Sequence, residues 1–561
     1  MSQPGGDTAP RWLTPGVFVA VLAAFWVIAG ALVPLVQDEG YYVAWSRHLA
    51  LGYLDHPPGV ALFVAPSRWA PGVPLAARAG TIVASVVGAL LTLRLARAAG
   101  LTTRTALVAV LALRFAGFLG LGLGFVTTPD SPLFLAWSWA LVEAARALRG
   151  ERKRWLAAGI ATGLGLWGKY TMVVIGPVFL WGLVRSDRAA LRTAWPYLGG
   201  LLALLVWSPQ LAWNATHGWQ TLAYQLRHGL AGGHDIRADE TGVLPHAEPP
   251  RAEGPEADLT RRFPLPPGAY HARPPEERPT RKWTGRLREY LLGELGLCGF
   301  LVMPFAARAV RWWQRRRRHG PLPGDELDES RPRLDPRVAP LLAAGWVFPL
   351  VLFGVASLSA KTELNWPAMY LVSASVWLAP WALGSVTRWL LTGTAINLAC
   401  VCVVGLHALH PYLPIPISQD RILRETRGFD LLSHRLAELD APVFGTNYQL
   451  VSLARFYSPG LRIGQWPGAA RPSELTLRRV QSPYTWADLA KRGEFWMVSF
   501  HAEIAHIPGA DAVDLVQLRD CRDPSAEERL EERDALDPGL GDRASCQSFH
   551  LWYLARYRVT T

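Results

Sequence analysis

The fold class of this chain is indicated by a long apolar run that is followed directly by an acidic pair. Residues 14–36 read TPGVFVAVLAAFWVIAGALVPLV, and Gln37-Asp38-Glu39-Gly40-Tyr41-Tyr42 follows directly. As a helix, a run of about 20 apolar residues crosses a hydrocarbon core of about 30 Å. Runs of similar length recur outward along the 561 residues, half of which are apolar. The sequence therefore predicts an all-α polytopic membrane protein.

About eleven transmembrane helices are predicted from these runs. Basic side chains cluster at every second turn between them, most densely at 311–318. Because Lys and Arg mark the cytoplasmic ends of membrane helices, we expect a cytoplasmic N-terminus and a location in the inner (cytoplasmic) membrane. The predicted helices cover residues 14–36, 75–98, 105–126, 131–149, 154–168, 171–185, 194–212, 288–309, 338–358, 366–384 and 388–407.

The charge balance agrees with this topology. The chain carries 57 Lys and Arg against 45 Asp and Glu, a formal net charge of +12. Because the basic residues stand at the ends of apolar runs, the excess indicates orientation in a lipid bilayer and not nucleic-acid binding. Two of the five cysteines, Cys521 and Cys546, lie in the polar C-terminal region, where they could pair in an oxidising compartment.

Two domains are predicted, a transmembrane domain over residues 1–410 and an extracytoplasmic domain over 411–561. Within the first, residues 234–285 are rich in Pro, Glu, Arg and Gly. This composition is typical of a disordered insertion. Within the second, the strand-like stretch 495–500 is a partner for 441–445. We therefore expect a small α/β or α+β domain after the membrane helices.

Acidic side chains gather on the face that has few basic groups. Asp38 and Glu39 follow the first apolar run, Asp55 lies in the same loop, and Asp130 heads the fourth predicted helix. A solvated helix end is the ordinary explanation for such residues. However, ionisable residues at membrane depth are costly and usually functional, and these four share one face. The pattern indicates a functional site there.

Five motifs, in order, resemble the protein O-mannosyltransferase-like superfamily, the family 39 and family 83 glycosyltransferases with the GT-C fold. The first outer loop of that superfamily is similar to residues 38–47 and 52–58 here. The resemblance covers roughly residues 10–407 and excludes the insertion and the C-terminal domain. The motifs are Asp38-Glu39-Gly40-Tyr41-Tyr42 with Asp55-His56-Pro57-Pro58, then Thr128-Pro129-Asp130, Gly168-Lys169-Tyr170-Thr171, Trp213-Asn214-Ala215-Thr216-His217, and Lys361-Thr362-Glu363-Leu364-Asn365-Trp366-Pro367.

The resemblance implies transfer of a monosaccharide from a polyprenyl-phosphate donor to an envelope acceptor (protein, lipid or polysaccharide) at the outer face of the membrane. An inverting transfer needs a carboxylate that accepts or steers the proton of the acceptor. The family places that carboxylate at Asp38. Glu39 is a weaker catalytic candidate, with a solvated or helix-end role as the alternative. Asp130 would bind the sugar or position the acceptor, or cap the fourth helix.

The leaving phosphate needs positive charge. The family match implies Lys361 for this role, with interfacial snorkelling as the alternative. Arg47 and Lys169 are further candidates. His56 stands where related aminoarabinose transferases carry a Lys, so contacts to the donor are expected to differ.

A divalent metal ion is the one cofactor that the resemblance implies, with no organic cofactor. In related aminoarabinose transferases a metal bridges an acidic residue of the first loop and a later His. Asp55 occupies the matching place, and His228 or His217 would supply the imidazole. One carboxylate and one imidazole make a sparse ligand set. The alternative is that Asp55 pairs with His56 or a nearby Arg and orders the loop.

The aromatic residues, including 25 Trp, are mostly explained by the interfacial belts of a membrane protein. Tyr41, Tyr42 and Trp45, beside the acidic pair, are the ones expected to contact substrate.

Two other functions stay open. An O-antigen or polysaccharide ligase would use a polyprenyl-diphosphate donor. A lipid-linked sugar flippase or transporter would place ionisable residues in mid-helix and not at helix ends.

Overall fold

The computed structural model of the chain describes residues 10–230, 282–319, 332–359, 362–415, 419–466, 473–477, 483–500, 507, 509–521, 530–533 and 548–560. Lys361, Cys546 and most of the predicted insertion lie outside these ranges. His228 and Cys521 lie inside a helix and a strand whose backbone alone is described at those positions.

Helices dominate the described chain. The α-helices are α1 (Pro15–Leu32), α2 (Gln37–Ser46), α3 (Gly59–Phe63), α4 (Pro74–Ala98), α5 (Arg104–Phe115), α6 (Phe118–Leu123), α7 (Asp130–Leu148), α8 (Arg154–Gly168), α9 (Ile175–Ser186), α10 (Trp195–Thr216), α11 (Gln220–Leu230), α12 (Trp283–Cys298), α13 (Met303–His319), α14 (Ala339–Ser359), α15 (Tyr370–Leu378), α16 (Thr387–Leu409), α17 (Arg421–Thr426), α18 (Phe429–Ala437), α19 (Tyr448–Tyr457), α20 (Glu474–Leu477) and α21 (Trp486–Arg492).

Every predicted membrane span coincides with helix in the structure. The chain is thus a multi-pass membrane protein, although the number eleven stays a prediction. Five segments of the described chain are long and apolar enough to cross a membrane by length and composition. They are Pro15–Leu32, Pro74–Ala98, Trp283–Gln314, Ala339–Ser359 and Gly384–Leu409.

Two predicted spans are broken helices, and one side chain stabilises both breaks. The span 105–126 divides between α5 and α6, and the span 288–309 divides at Gly299, which has φ 58°. Asn397 of α16 donates to Ala116 O at 2.8 Å and Cys298 O at 3.1 Å, and its Oδ1 accepts from Phe300 N at 2.9 Å. Backbone groups freed inside a membrane need such partners, and Asn397 supplies them.

The C-terminal part carries a six-stranded mixed sheet in the order β2-β1-β3-β6-β4-β5. Strands β1 and β3 pair in parallel, with Val443 opposite Trp496, which confirms the predicted partnership of 441–445 with 495–500. The strands are β1 (Val443–Gly445), β2 (Ile463–Gln465), β3 (Glu494–Ser499), β4 (Ala510–Cys521), β5 (Leu530–Arg533) and β6 (Ser548–Val559).

The first loop and the C-terminal part pack together through α2 and α19. Tyr41 and Trp45 of the loop share one buried apolar cluster with Leu450 and with Trp552 of the sheet. The helices approach closely at Gly40, where a Cβ atom would lie 2.9 Å from Leu453 Cδ2. The predicted division at residue 410 therefore crosses a packed interface, and a separate, extracytoplasmic domain stays a prediction.

A buried pair fixes the junction after the last membrane helix. His407 of α16 lies 2.8 Å from Asp420 Oδ2 through its Nε2 atom, and neither side chain is more than 1% exposed. The Nδ1 atom accepts from the backbone N–H groups of Tyr412 and Leu413, both at 3.1 Å. Since Nδ1 accepts, Nε2 carries the proton and donates to Asp420. The C-terminal part is thereby held at a defined place relative to α16.

Candidate active site

Asp38 and Glu39 begin α2 and point in different directions. Successive residues on a helix are about 100° apart, so neighbours face different surroundings. Asp38 is exposed, whereas Glu39 is completely buried. The two carboxylates of the pair therefore have different environments.

Glu39 forms a buried ion pair with Arg78 of α4. The Arg78 Nη2 atom lies 2.6 Å from Oε2 and Nε lies 2.9 Å from Oε1. The carboxylate also accepts from the backbone N–H of Val36 at 3.2 Å and of Thr127 at 2.9 Å. Arg78 in turn donates to carbonyl oxygens that follow α1, including that of Pro34 at 3.0 Å. This geometry favours the helix-end role for Glu39 over the catalytic one.

Asp130 is the first residue of α7, and its side chain does not cap the helix. Its Oδ1 accepts from Lys169 Nζ at 2.8 Å, and its Oδ2 accepts from Asn365 Nδ2 at 2.9 Å. Asp130 is 1% and Lys169 6% exposed. The capping alternative for Asp130 is therefore wrong. Asp130, Lys169 and Asn365 belong to three different motifs, so these two hydrogen bonds bring the three motifs together. The positive charge of Lys169 is directed at Asp130.

Tyr42 of α2 is 5% exposed. Burial raises its pKa well above the usual value. The negative charges of Asp38, Asp55 and Asp130, together with Tyr448, raise it further. The three carboxylates therefore lie within electrostatic reach of Tyr42. This neighbourhood is the centre of the candidate site.

Asp55 is joined to the C-terminal part through Tyr41. The Tyr41 hydroxyl donates to Asp55 Oδ2 at 2.7 Å and accepts from the backbone N–H of Glu474 at 2.9 Å. The Glu474 carboxylate accepts from the backbone N–H of Leu54 at 2.5 Å. Both carboxylates are at least 96% buried. A segment far along the chain therefore orders the loop that carries Asp55.

The described residues do not fit a complete metal site. They contain no group of three His, Cys, Asp or Glu side chains that could hold a metal ion. One oxygen of Asp55 is engaged by Tyr41. His217 is exposed, its ring stacks on Trp213 at 4.1 Å, and its Nδ1 lies 2.8 Å from Trp213 O. The side chain of His228 lies outside the description, so that candidate stays a prediction.

Two of the cations predicted for the phosphate, Lys169 and Arg47, have different surroundings. Lys169 is bound to Asp130, and Arg47 stands at the far end of α2 from Asp38. Arg421 of α17 was not predicted. It pairs with Glu425 at 2.5 Å, which raises its pKa, and the charges of Glu363 and Asp38 raise it further. Arg421 is therefore a cation within electrostatic reach of Asp38.

The predicted aromatic residues are buried and not open to a sugar. Trp45 is completely buried and stacks on Tyr53 at 4.2 Å. Tyr41 and Tyr42 are 2% and 5% exposed. Half-buried His56 has its ring 6.4 Å from that of Tyr42, and its Nδ1 is 3.2 Å from Gln225 Nε2. The prediction that Trp45 contacts substrate therefore disagrees with its position, because its faces already pack inside the loop.

Four residues of the site escaped prediction: Arg78, Asn365, Arg421 and Glu474. Arg78 had a signal, since a charged residue inside the apolar run 75–98 calls for a partner. Asn365 stood inside a quoted motif without a role. Arg421 and Glu474 lie in the C-terminal part, where the sequence shows no motif.

Residues 55–213 match the family described as Dolichyl-phosphate-mannose-protein mannosyltransferase. ArnT from Cupriavidus metallidurans bound to undecaprenyl phosphate aligns with a TM-score of 0.52 at 13% identity, over 86% of this chain and 92% of that one. No curated protein matches the sequence.

Two further solved structures align less closely. ArnT from Cupriavidus metallidurans in the apo state has a TM-score of 0.43 at 15% identity, over 86% of this chain and 92% of that one. The Archaeoglobus fulgidus oligosaccharyltransferase in the apo form has a TM-score of 0.41 at 12% identity, over 87% and 70%. Similarity at this level adds nothing to the case for function.

Proposed function

We propose that the chain is a membrane glycosyltransferase of the GT-C type, similar to the protein mannosyltransferases, and that it transfers a monosaccharide from a polyprenyl-phosphate donor to an envelope acceptor. The observation that carries this proposal is the buried contact of Asp130 with Lys169 at 2.8 Å and Asn365 at 2.9 Å, which joins three of the motifs. Asp38, Asp55 and Asp130 also lie within electrostatic reach of Tyr42. All three carboxylates lie at helix ends or in a loop, where a lipid-borne donor meets an acceptor from outside. A transporter would instead concentrate such groups in mid-helix.

Asp38 is the proposed general base. The acceptor hydroxyl attacks the anomeric carbon, a new C–O bond forms, and the bond from that carbon to the phosphate oxygen breaks. The electron pair leaves with the polyprenyl phosphate, and the hydroxyl proton passes to Asp38. Asp38 suits this role because its carboxylate is exposed, whereas that of Glu39 accepts four hydrogen bonds in the protein interior.

Asp130 is proposed to orient the sugar or the acceptor. Lys169 and Asn365 hold its two oxygens at 2.8 and 2.9 Å, which fixes the orientation of the carboxylate. Each carboxylate oxygen has two lone pairs, so acceptor capacity remains for a sugar hydroxyl. In this scheme Lys169 positions Asp130 and does not meet the phosphate itself.

The leaving phosphate is proposed to meet Lys361 and Arg421. Lys361 immediately precedes the stretch that carries Glu363 and Asn365. Arg421 is within electrostatic reach of Glu363 and Asp38, so it belongs to the same neighbourhood. Cations at this place stabilise the charge that develops as the phosphate departs.

The site is proposed to face outward from the cytoplasmic membrane. A reporter that is active only outside the cytoplasm should work when fused at Thr561 and be silent after Arg318. The reverse pattern would contradict the orientation of the whole site, because α2 and α19 share one side of the bundle.

A divalent metal is a further proposal that depends on His228. Asp55→Ala and His228→Ala should each lower turnover, and a strong chelator should mimic them. Full turnover after exhaustive chelation would remove the metal and leave the transfer mechanism unchanged.

The experiment that tests the function is transfer in membranes that contain the chain. Radiolabelled polyprenyl-phosphate mannose, arabinose, glucose and galactose are supplied separately, and label is sought in protein, lipid and polysaccharide fractions. Membranes with the Asp38→Asn variant are the matched control. Label that depends on Asp38 supports the proposal. Transfer from a polyprenyl-diphosphate sugar alone would favour a ligase.

A further inference from the structure

A small cavity lies among the membrane helices α4, α5 and α7 and the short helix α6. Its volume is about 20 Å³. Among its described lining residues, Arg114 of α5 carries the one charge, and the hydroxyl-bearing residues are Ser85 of α4 and Ser131 and Ser138 of α7. The rest of this lining consists of apolar side chains and glycine. The cavity thus places one cation and three serines inside an apolar bundle.

Arg114 is a buried charge within the predicted membrane span 105–126. The residue is 5% exposed. Its guanidinium carbon lies 4.9 Å from the ring centres of both Phe115 and Phe134. Such cation–π contacts attract the charge but do not neutralise it. A charged side chain at membrane depth is costly and usually has a function, so Arg114 needs an explanation.

Arg114 has no anionic partner in the described part of the chain. Its guanidinium forms no ion pair there, and its Nε atom is buried without a hydrogen-bond acceptor. The titratable group within electrostatic reach of Arg114 is Tyr370 of α15, a phenol that is neutral near pH 7. Arg78 of α4 is the contrasting case, because Glu39 pairs with that buried arginine at 2.6 Å. A buried charge without a partner is unfavourable, so the surroundings of Arg114 favour a bound anion.

The serines supply the further donors that an anion needs. Ser131 and Ser138 are 6% and 2% exposed, and Ser85 is half-buried. The Ser131 Oγ atom accepts from the backbone N–H of Thr128 at 3.3 Å, which leaves its own proton for another acceptor. Hydrogen bonds from hydroxyl and guanidinium groups to an anion are stronger than those between neutral groups. The lining therefore selects a ligand that accepts hydrogen bonds and carries negative charge.

The volume of the cavity limits the size of that anion. One water molecule needs about 10–15 Å³ by the same measure, so a cavity of about 20 Å³ admits a single small ion. A phosphate group, with its phosphorus and four oxygen atoms, is too large. A water molecule fits the space, but it leaves the charge of Arg114 uncompensated.

We infer that this cavity binds one chloride ion, held by Arg114 and the serines. Chloride is a monatomic anion that accepts hydrogen bonds from any direction, so it suits donors that converge from three helices. The ion joins α4, α5 and α7 near the start of α7, since Ser131 directly follows Asp130 there. This inference concerns the stability of the membrane bundle and does not depend on the proposed transfer of a sugar.

The test uses the full chain in nanodiscs of neutral phosphatidylcholine, with sodium gluconate replaced stepwise by sodium chloride at constant ionic strength. A ligand that binds only the folded chain raises the thermal unfolding midpoint. The midpoint of the native chain should therefore rise with chloride along a saturation curve. Bromide should act as chloride does, whereas gluconate is too large for the cavity. An unfolding midpoint that is the same in chloride and in gluconate would overturn the inference.

Two substitutions locate the ion. Arg114→Met removes the charge at similar volume, so this variant should lose the response to chloride and be at least as stable as the native chain in gluconate. Ser138→Ala keeps the charge and removes one donor, so the half-saturating chloride concentration should rise at least about threefold. An Arg114→Met variant that responds to chloride as the native chain does would overturn the inference. If that variant does not fold, an unchanged half-saturating concentration in Ser138→Ala would overturn it.

The matched control is Ser357→Ala in α14. Ser357 is 1% exposed, its hydroxyl donates to Gly354 O at 2.6 Å, and it does not line the cavity. Its half-saturating chloride concentration should equal that of the native chain. Crystals of the full chain soaked in bromide give the direct readout, with an anomalous peak expected beside the Arg114 guanidinium. Bromide peaks only at other places would overturn the inference.

Discussion

The two ends of the short helix α2 differ in charge, exposure and partners. Its N-terminal end carries Asp38 and Glu39, and the charge of Asp38 reaches Tyr42. Its C-terminal end carries Arg47 and His48, which line a cavity together with Arg455 and Arg462 of the C-terminal part. The helix dipole favours this arrangement, since it stabilises anions at the N-terminus and cations at the C-terminus. The two ends of a ten-residue helix thus carry opposite charge.

The largest effect is expected from Asp38→Asn at the acidic N-terminal end of α2. The substitution keeps the size of the side chain and removes its basicity, and general-base catalysis contributes typically about 10²–10⁴-fold. Turnover with the true donor should fall by at least about 100-fold, while the thermal unfolding midpoint stays unchanged. Turnover close to that of the native chain would show that Asp38 is only a solvated helix end, and Asp130 would become the base.

Arg78→Met tests whether Glu39, at the same end of α2, has a structural role and not a catalytic one. Removing one partner of a buried ion pair costs about 3–5 kcal/mol, because the other charge is left buried. The free energy of unfolding in nanodiscs should fall by this amount. The double variant Arg78→Met with Glu39→Met should recover part of the loss. A single variant as stable as the native chain would contradict the structural role of Glu39.

Asn365→Ala tests the contact that joins distant motifs at Asp130. The variant loses a hydrogen bond to a charged group, worth about 1.5–3 kcal/mol. If the contact orients Asp130 for the reaction, kcat/KM should fall by about tenfold or more. Asn397→Ala, at the helix breaks far from the carboxylates, is the comparison: it should lower stability more than kcat/KM. The opposite ranking would remove Asn365 from the site.

Gly40→Ala gives the smallest effect, and it tests the contact between α2 and α19. The new Cβ atom would lie 2.9 Å from Leu453 Cδ2 and 3.2 Å from its backbone N. Overpacking costs about 1–3 kcal/mol, and the gain in helix propensity offsets about 0.5–1. A net loss of about 1 kcal/mol is expected. Gly88→Ala in α4, where nothing lies within 4 Å, should be neutral or stabilising. Equal behaviour of the two variants would argue against close packing at Gly40.

The membrane spans were predictable because their signal is local. A run of apolar residues marks a helix without any knowledge of its neighbours, and every predicted span coincides with helix. The breaks at residues 116–117 and Gly299 were not predictable in this way. Their carbonyl and N–H groups are satisfied by Asn397, which is 281 positions from Ala116 in the chain.

In the candidate site, likewise, the sequence indicated which residues take part but not which residues contact one another. The motifs identified Asp38, Asp55, Asp130 and Lys169, and the structure joins Lys169 to Asp130. The partners were not predictable, since Asn365 lies 235 positions from Asp130 and Leu54 lies 420 from Glu474. A motif specifies which side chain is present. Which group neutralises or orients that side chain depends on packing between distant segments.

The contacts between the first loop and the segment around Glu474 limit which parts of the chain can be exchanged between related proteins. The Tyr41 hydroxyl binds two groups at once: the carboxylate of Asp55 in the first loop and the backbone N–H of Glu474 in the C-terminal part. A recombination event that exchanged the C-terminal part and replaced Glu474 would leave the Leu54 N–H without its carboxylate acceptor, and the first loop would lose that contact. The loop and the segment around Glu474 should therefore be inherited as one unit, and chimaeras should succeed only when both come from the same parent.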